Sequence, residues 1–302
     1  MVCRLTSYGD MSKRASLRLD WLHGNVRDLR REYGRICRVG LGRTHLWRTI
    51  CAKGQDIRVL MHAGEGNSDC AILYFHGGGW IVGSPETHAD ISSALSVHTG
   101  LSVISIDYRL APEHKSPAAV MDGLKVLDYF LSGEDGCPGL QSAILCGDSA
   151  GGSIAMAVER HASPELGKRI RGVGSFYGCF GRPGRRPVQP GMRDDGLDVE
   201  SLRRYWTLAN TSRGRGSYTL SVLDHAPGCP VYLLVAGRDP LRDDSLALAR
   251  ALKRRGRAVT TDLHRYETHG FLQQPYPSRS VDLAFSGFSQ WVHSLSHTEM
   301  RH

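Results

Sequence analysis

A serine flanked by glycines, between a predicted strand and a predicted helix, constrains the fold of this chain more than any other feature. Residues 147–151 read Gly-Asp-Ser-Ala-Gly. The apolar run at 142–145 is typical of a buried strand, and residues 153–160 favour a helix. Such a tight turn leaves no room for side chains at its glycines and lifts the Ser149 hydroxyl clear of the sheet. Taken alone, the pattern fits an ordinary strand-to-helix turn equally well.

Strands and helices alternate along most of the 302 residues, which predicts an α/β fold. Alternation of this kind implies a mostly parallel central sheet covered by helices on both faces. We assign residues 46–177 and 225–302 to one catalytic domain built on this sheet. The predicted strands are 45–51, 56–61, 71–75, 101–108, 142–145, 172–177, 231–236 and 258–266, and the predicted helices are 85–98, 117–131, 153–160, 243–255 and 280–294.

Two segments depart from the alternation and are predicted to form a small helical cap. Residues 1–45 carry an apolar stripe at three- and four-residue steps, with arginines on much of the remaining surface. Residues 178–224 contain an arginine- and glycine-rich loop followed by a helical pattern at 198–209. An insertion of this size in an α/β domain is more often functional than idle. The N-terminal stripe consists of Leu22, Val26, Leu29, Tyr33 and Ile36.

An aspartate and a histidine follow the last two predicted strands directly. A serine nucleophile needs a base, and the base needs a carboxylate to orient it. Asp239 and His269 both fall at the sheet edge that presents Ser149, where ligands collect in open α/β sheets. They also follow the serine in the chain order Ser, Asp, His that α/β-hydrolases use. We therefore predict that Ser149, Asp239 and His269 form a catalytic triad.

The neighbouring acidic residues and histidine fit these roles less well. His264 falls within the last predicted strand, so its side chain is expected to point into a packed face. Asp243 and Asp244 fall at the start of a predicted helix and are interpreted as its N-terminal caps. The competing interpretation of Asp239 is a turn aspartate before a proline, and its place in the chain order favours the triad.

Three consecutive glycines after the predicted strand at 71–75 supply donors for an oxyanion. The tetrahedral intermediate of acyl transfer needs such donors, and glycines let backbone N–H groups approach an oxygen closely. We predict that Gly77 and Gly78 are the donors from this loop, with the N–H of Ala150 as the third. The preceding His76 is predicted to pin the glycine loop by a hydrogen bond rather than to act as a base.

Four further residues beside these motifs are expected to support the site or the substrate pocket. Gly79 completes the glycine loop. Trp80 and Phe271 either form walls of an acyl pocket or belong to the core, and the sequence favours neither. Asp148 is expected to support the residues of the site without contacting the substrate itself, and the role of its carboxylate stays open.

Five motifs occur in a fixed order over about residues 71–272. They are His-Gly-Gly-Gly-Trp at 76–80, Asp-Tyr-Arg-Leu-Ala-Pro-Glu at 107–113, Gly-Asp-Ser-Ala-Gly-Gly at 147–152, Asp-Pro-Leu-Arg-Asp at 239–243 and His-Gly-Phe at 269–271. Together they resemble the hormone-sensitive-lipase-like esterase family. The resemblance implies an α/β-hydrolase fold with a helical cap, and a carboxylesterase that needs no cofactor or metal and acts on short to medium acyl chains. The residues before the first strand and those at 178–224 show no motif of the family.

Composition and charge exclude several other classes of function. The net charge of +8 comes from dispersed basic residues without interleaved aromatic side chains, so we expect no nucleic-acid partner. No apolar run approaches the length of a membrane-spanning helix. The eight cysteines form no Cys-x-x-Cys pair and no metal-ligand spacing, which favours a reducing, cytoplasmic location. The expected partner is a small ester substrate, and the expected state is a monomer or homodimer.

Two alternatives to a carboxylesterase remain open at this stage. The same triad and oxyanion donors serve a deacetylase or amidase acting on an acetylated metabolite. A ligand receptor built on the same fold is the alternative from another class. It is disfavoured because all three triad residues are present.

Overall fold

A single mixed sheet organises the parts of the chain that the computed structural model describes, which are residues 24–37, 45–66, 68–133, 139–181, 197–210, 227–274 and 278–296. Its strands are β1 (His45–Ala52), β2 (Gln55–His62), β3 (Cys70–Phe75), β4 (Ser102–Ile106), β5 (Ser142–Asp148), β6 (Ile170–Phe176), β7 (Val231–Ala236) and β8 (Val259–His264). The eight strands lie in the order β1-β2-β4-β3-β5-β6-β7-β8. β1, β2 and β4 pair antiparallel, and every pairing from β4 to β8 is parallel. The predicted mostly parallel sheet is confirmed.

Helices cover both faces of the sheet. The described helices are α1 (Val26–Cys37), α2 (Ala89–Thr99), α3 (Ala118–Ser132), α4 (Ala150–His161), the short α5 (Pro164–Gly167), α6 (Val199–Ala209), α7 (Arg242–Arg254) and α8 (Arg279–Ser296). Helices α3, α4 and α7 contribute to one core cluster, whereas α2 and α8 contribute to the other.

Strand β3 shows why the two cores follow from the sequence. All six of its residues are buried, and no alternation of polar and apolar residues distinguishes its two faces. Successive side chains point to opposite faces of a sheet. Leu73 and Phe75 therefore enter the core formed with α3 and α4, while Ile72 and Tyr74 enter the core formed with α2 and α8. A strand covered on both faces is apolar throughout, as parallel strands generally are.

One expectation about helix α7 is wrong. Asp243 and Asp244 lie within the first turn of the helix, and the cap position is taken by Leu241, which provides no side-chain cap. The Asp244 carboxylate instead accepts hydrogen bonds from the N–H groups of Phe180 (3.3 Å) and Gly181 (3.0 Å), in the segment after β6. The physical reason is that an acidic side chain in the first turn of a helix can point away from the helix end and accept hydrogen bonds from the backbone N–H groups of a neighbouring loop.

Two described helices, α1 and α6, fall within the segments that are predicted to form a cap. In α1 the buried residues are Leu29 and Tyr33, which belong to the predicted apolar stripe. Both helices contribute side chains to the core cluster that also contains α3 and α4. Residues 1–23, 38–44, 182–196 and 211–226, which include Leu22 and most of the predicted insertion, lie outside the described residues. No described helix is long and apolar enough to span a membrane.

Candidate active site

The glycine-flanked serine lies in a sharp turn between β5 and α4. Ser149 has φ 51° and ψ −118°, a backbone conformation that residues other than glycine rarely adopt. A Cβ atom at Gly147 would overlap the backbone of Gly151, and one at Gly151 would overlap the carbonyl of Phe75. Only glycine therefore fits on either side of the serine, and the turn brings Ser149 to the carboxyl edge of the parallel strands.

The histidine and aspartate predicted as partners of Ser149 lie within hydrogen-bond distance. His269 Nε2 is 2.9 Å from Ser149 Oγ, and His269 Nδ1 is 2.8 Å from Asp239 Oδ2. Asp239 is fully buried, and its second oxygen accepts a hydrogen bond of 2.7 Å from the N–H of Leu241. The carboxylate is thus fixed by backbone as well as by the imidazole. This arrangement can orient a ring that removes a proton from the serine hydroxyl.

The glycine loop after β3 disagrees with the prediction at one position. The N–H of Gly77 donates to Asp148 Oδ1 at 2.7 Å, so it is not available to an oxyanion. By contrast, the N–H groups of Gly78, Gly79 and Ala150 donate to no other described residue. Gly78 and Gly79 have φ angles of 113° and 59°, so the chain direction reverses within the loop. The available donors are therefore shifted by one residue from the predicted pair.

His76 contacts the glycine loop, as predicted. Its Nδ1 atom lies 2.7 Å from the carbonyl oxygen of Gly77, and its ring stacks on Tyr108 with centroids 4.2 Å apart. The hydroxyl of Tyr108 in turn donates to the His76 carbonyl at 2.7 Å. Complete burial lowers the pKa of His76 to about 3, so the ring is neutral. A neutral, enclosed imidazole bonded to the loop backbone fits the pinning role better than the role of a base.

Two aromatic residues with open assignments, Trp80 and Phe271, are both buried. Trp80 is 4% exposed, and its indole N–H donates to Ser153 Oγ at 3.2 Å. Its ring meets Trp206 of helix α6 edge-on, with centroids 5.7 Å apart. Phe271 is 1% exposed. Burial to this degree favours the core interpretation for Phe271 and makes Trp80 a contact between the core and α6.

Three residues around the site, Tyr74, His88 and Tyr177, carry no signal in the sequence, unlike Asp148. Asp148 is buried beside Tyr74 and His88, and Tyr177 packs against His269. Burial raises the pKa of the Asp148 carboxyl, with hydrogen bonds from Tyr74 and Gly77 opposing the shift. Tyr74 and His88 belong to no recognisable motif, so only the fold could reveal them. Within the described residues, no cluster of three or more histidine, cysteine or acidic side chains could hold a metal ion.

Comparisons with known proteins agree with this fold. A family model described as alpha/beta hydrolase fold matches residues 72–273. Esterase LipI of Mycobacterium tuberculosis is 31% identical over 217 residues, covering 67% of this chain and 65% of its own length. Lipase 2 of Moraxella sp. (strain TA144) is 28% identical over 242 residues, covering 69% and 56% respectively. This chain thus spans less than two thirds of the length of these curated relatives.

Solved structures show the same fold across nearly the whole chain. The hyperthermophilic esterase from the archaeon Pyrobaculum calidifontis has a TM-score of 0.83 at 24% identity, covering 94% of this chain and 96% of that one. EstE1, a thermostable carboxylesterase cloned from a metagenomic library, has a TM-score of 0.79 at 25% identity, covering 90% and 98%. The predicted fold class is therefore confirmed.

Proposed function

This chain belongs to the alpha/beta hydrolase fold family, and on that premise we propose that it is a serine carboxylesterase acting on short- to medium-chain acyl esters. The observation that carries the proposal is the hydrogen-bond relay in which His269 lies 2.9 Å from Ser149 Oγ and 2.8 Å from Asp239 Oδ2. Its esterase and lipase relatives support the same class of reaction. The resemblance of the motifs to hormone-sensitive-lipase-like esterases agrees with both.

The proposed reaction proceeds through an acyl-enzyme. Ser149 Oγ attacks the ester carbonyl while His269 Nε2 takes the hydroxyl proton, and Asp239 stabilises the imidazolium through Nδ1. Collapse of the tetrahedral intermediate breaks the bond to the alcohol, which leaves with the proton from His269. Water then attacks the acyl-enzyme with His269 again as the base, and the acid is released from Ser149.

The oxyanion of each tetrahedral intermediate is assigned to the N–H groups of Gly78, Gly79 and Ala150. This assignment replaces Gly77, whose N–H is bonded to Asp148. Preorganised backbone donors stabilise the developing charge without reorganising during the reaction, and each typically contributes about 10²- to 10³-fold in kcat.

We further propose that residues 1–45 and 178–224 form a cap over the catalytic domain at 46–177 and 225–302. The support comes from helix α6, because a Cβ at Gly79 would lie 2.7 Å from the ring of Tyr205. An aromatic ring directly on the glycine loop limits the space beside the oxyanion donors. The preference for shorter acyl chains is assigned to this contact.

Three experiments test the proposal. Ser149→Ala should abolish hydrolysis of p-nitrophenyl acetate, with a loss in kcat of order 10⁶-fold, and should prevent covalent labelling by a fluorophosphonate probe. A panel of p-nitrophenyl esters from acetate to decanoate should show its maximum below the long end. Matched anilides, hydrolysed more slowly than the esters, distinguish an esterase from an amidase. Wild-type hydrolysis by Ser149→Ala contradicts the assignment of the nucleophile, and a decanoate maximum contradicts the acyl range.

A further inference from the structure

The carboxylate of Asp148 joins two parts of the site from within the core. Asp148 is 2% exposed, and its Oδ1 atom accepts two hydrogen bonds, from the Tyr74 hydroxyl at 2.6 Å and from the Gly77 N–H at 2.7 Å. Tyr74 belongs to β3, whereas Gly77 belongs to the glycine loop. Asp148 itself is the last residue of β5, directly before the nucleophile.

The absence of a side chain at Gly77 is what allows this contact. A Cβ atom at Gly77 would overlap Asp148 Oδ2, although the φ angle of Gly77 does not lie in the region reserved for glycine. The glycine is therefore required by the closeness of the carboxylate and not by its own backbone conformation. A role as an oxyanion donor does not explain why residue 77 is glycine, because the N–H of Gly77 donates to Asp148.

The other oxygen of Asp148 faces a second buried network. Asp148 Oδ2 lies 3.6 Å from His88 Nε2, and the same nitrogen lies 3.1 Å from the amide nitrogen of Gln273. That amide also donates to the hydroxyl of Tyr33 at 2.9 Å. Three segments thus meet next to Asp148 Oδ2, namely helix α1, the turn after His269 and the segment before α2. Their packing leaves the carboxylate little freedom to move.

We propose that Asp148 is a positioning residue that fixes the glycine loop relative to the nucleophile through its hydrogen bond to Gly77. This inference rests on the proposed esterase function. Two of the assigned oxyanion donors, Gly78 and Gly79, lie in the loop, and the third, Ala150, lies in the turn that contains Ser149. The bond from Asp148 to Gly77 directly connects these two segments, so it sets the spacing between the donors.

The effect on the reaction follows from the short range of hydrogen bonds. Oxyanion donors act when they lie about 2.7–3.1 Å from the developing charge. A displacement of about 1 Å in a supporting group can lower the rate about 10²-fold. Loss of the Asp148 acceptor should therefore lower kcat, which depends on the transition state, and leave KM nearly unchanged.

Three variants test this role when each rate is normalised to the active sites titrated with a fluorophosphonate. Asp148→Ala removes the acceptor and should lower kcat about 100-fold, and it should weaken inhibition by a trifluoromethyl ketone by a similar factor. Asp148→Asn keeps an oxygen at the position of Oδ1 and should stay within about 10-fold of the wild type. Tyr74→Phe removes the other hydrogen bond to that oxygen and should lower kcat far less than Asp148→Ala.

The outcomes distinguish positioning through the hydrogen bond from an effect on substrate binding or an effect of the negative charge. A normalised kcat of Asp148→Ala less than 10-fold below wild type, or a loss expressed in KM alone, would overturn the proposal. So would an equal loss in Asp148→Asn, because charge and not the hydrogen bond would then matter. If Asp148→Ala does not fold, the test is Asp148→Asn alone, and a loss in kcat of more than about 10-fold in that variant overturns the proposal. Failure of the esterase proposal is a separate result, because it appears as an active and unlabelled Ser149→Ala.

Discussion

The ring of Tyr177 meets the imidazole of His269 edge-on, with centroids 5.0 Å apart and planes inclined at 65°. Tyr177 directly follows β6 and is 1% exposed, and its φ angle of 41° is unusual for a residue with a side chain. Its N–H donates to the Leu234 carbonyl at 2.8 Å, which anchors the strained residue to β7. The orientation of His269 therefore depends on packing against Tyr177 as well as on its bond to Asp239.

Removal of this packing should reduce catalysis. Tyr177→Ala leaves a gap beside His269, and an aromatic pair of this geometry contributes about 0.5–1.5 kcal/mol beyond its buried area. We expect kcat for p-nitrophenyl acetate to fall about 10-fold, with a smaller change in KM. Tyr177→Phe keeps the ring and should stay within about 2-fold of the wild type. Equal losses in the two variants would assign the effect to the phenolic hydroxyl instead.

The buried carboxylate of Asp239 should be needed for the orientation of His269. Asp239→Asn keeps the shape of the side chain but favours the wrong imidazole tautomer, and kcat should fall about 10⁴-fold. The matched control is Asp243→Asn, four residues away, which removes a carboxylate paired with the guanidinium of Arg242 at 3.1 Å. This control should retain its activity in the same assay. A comparable loss in both variants would contradict a specific role for Asp239.

We expect Arg30, and not the adjacent Arg31, to anchor helix α1 to the rest of the protein. Arg30 donates to the carbonyls of Ile81 and Ala111, each at 2.7 Å, and pairs with Glu113. Arg30→Ala leaves these carbonyls without their partner and should lower the free energy of unfolding by about 1–3 kcal/mol.

The adjacent Arg31 provides the control for this measurement. Its side chain is 68% exposed and pairs with Asp28 at 3.0 Å on the helix surface. Arg31→Ala should change the free energy of unfolding by no more than about 0.5 kcal/mol, because exposed pairs contribute little. Urea unfolding of the two variants under the same conditions measures the difference, and equal values would show that α1 is not anchored through Arg30.

Stability should decrease as the pH is lowered from 7 to 5. Burial lowers the pKa of His62, His76 and His88 to about 4, 3 and 4, whereas an unfolded histidine titrates near 6.5. Between about pH 6.5 and pH 4 the unfolded chain therefore binds more protons than the folded protein. In this window the free energy of unfolding decreases as the pH is lowered. At pH 5, His76 and His88 should each lower it by on the order of 2 kcal/mol. The raised pKa of Asp148 acts in the opposite direction.

A single variant can check the cause of this pH dependence. His62 Nε2 lies 3.0 Å from the hydroxyl of Ser92 on helix α2. His62 also pairs with Val103 at the start of β4, at the opposite edge of the parallel strands from the glycine loop. His62→Gln should reduce the slope of the unfolding free energy against pH between 7 and 5 and leave kcat at pH 7 unchanged. An unaltered slope would mean that the buried imidazole of His62 does not contribute.

The sequence was sufficient to predict most elements of the sheet and the three residues of the hydrogen-bond relay. Apolar runs are strong signals for buried strands, and the residues that follow parallel strands meet at one edge. Ser149, Asp239 and His269 could therefore be placed together without knowledge of any side-chain contact. Their catalytic roles stay predictions.

The donors of the glycine loop could not be distinguished in the same way. Gly77, Gly78 and Gly79 are identical in sequence, and the direction of each N–H depends on backbone angles that no local pattern specifies. Gly77 is set apart only by the nearby carboxylate of Asp148. The network behind that carboxylate joins Tyr33 to Gln273, which are 240 residues apart. Such contacts depend on packing and not on periodicity.

The strained backbone of Ser149 has a consequence for how this protein can evolve. A φ angle of 51° with a side chain attached destabilises the folded state by on the order of 1–3 kcal/mol. Glycine would adopt the same turn without that strain, so a Ser149→Gly protein should be inactive yet harder to unfold. Selection for stability alone would thus remove the proposed nucleophile from this turn. A descendant that no longer needed the proposed esterase activity would be expected to lose Ser149 early while it keeps the surrounding fold.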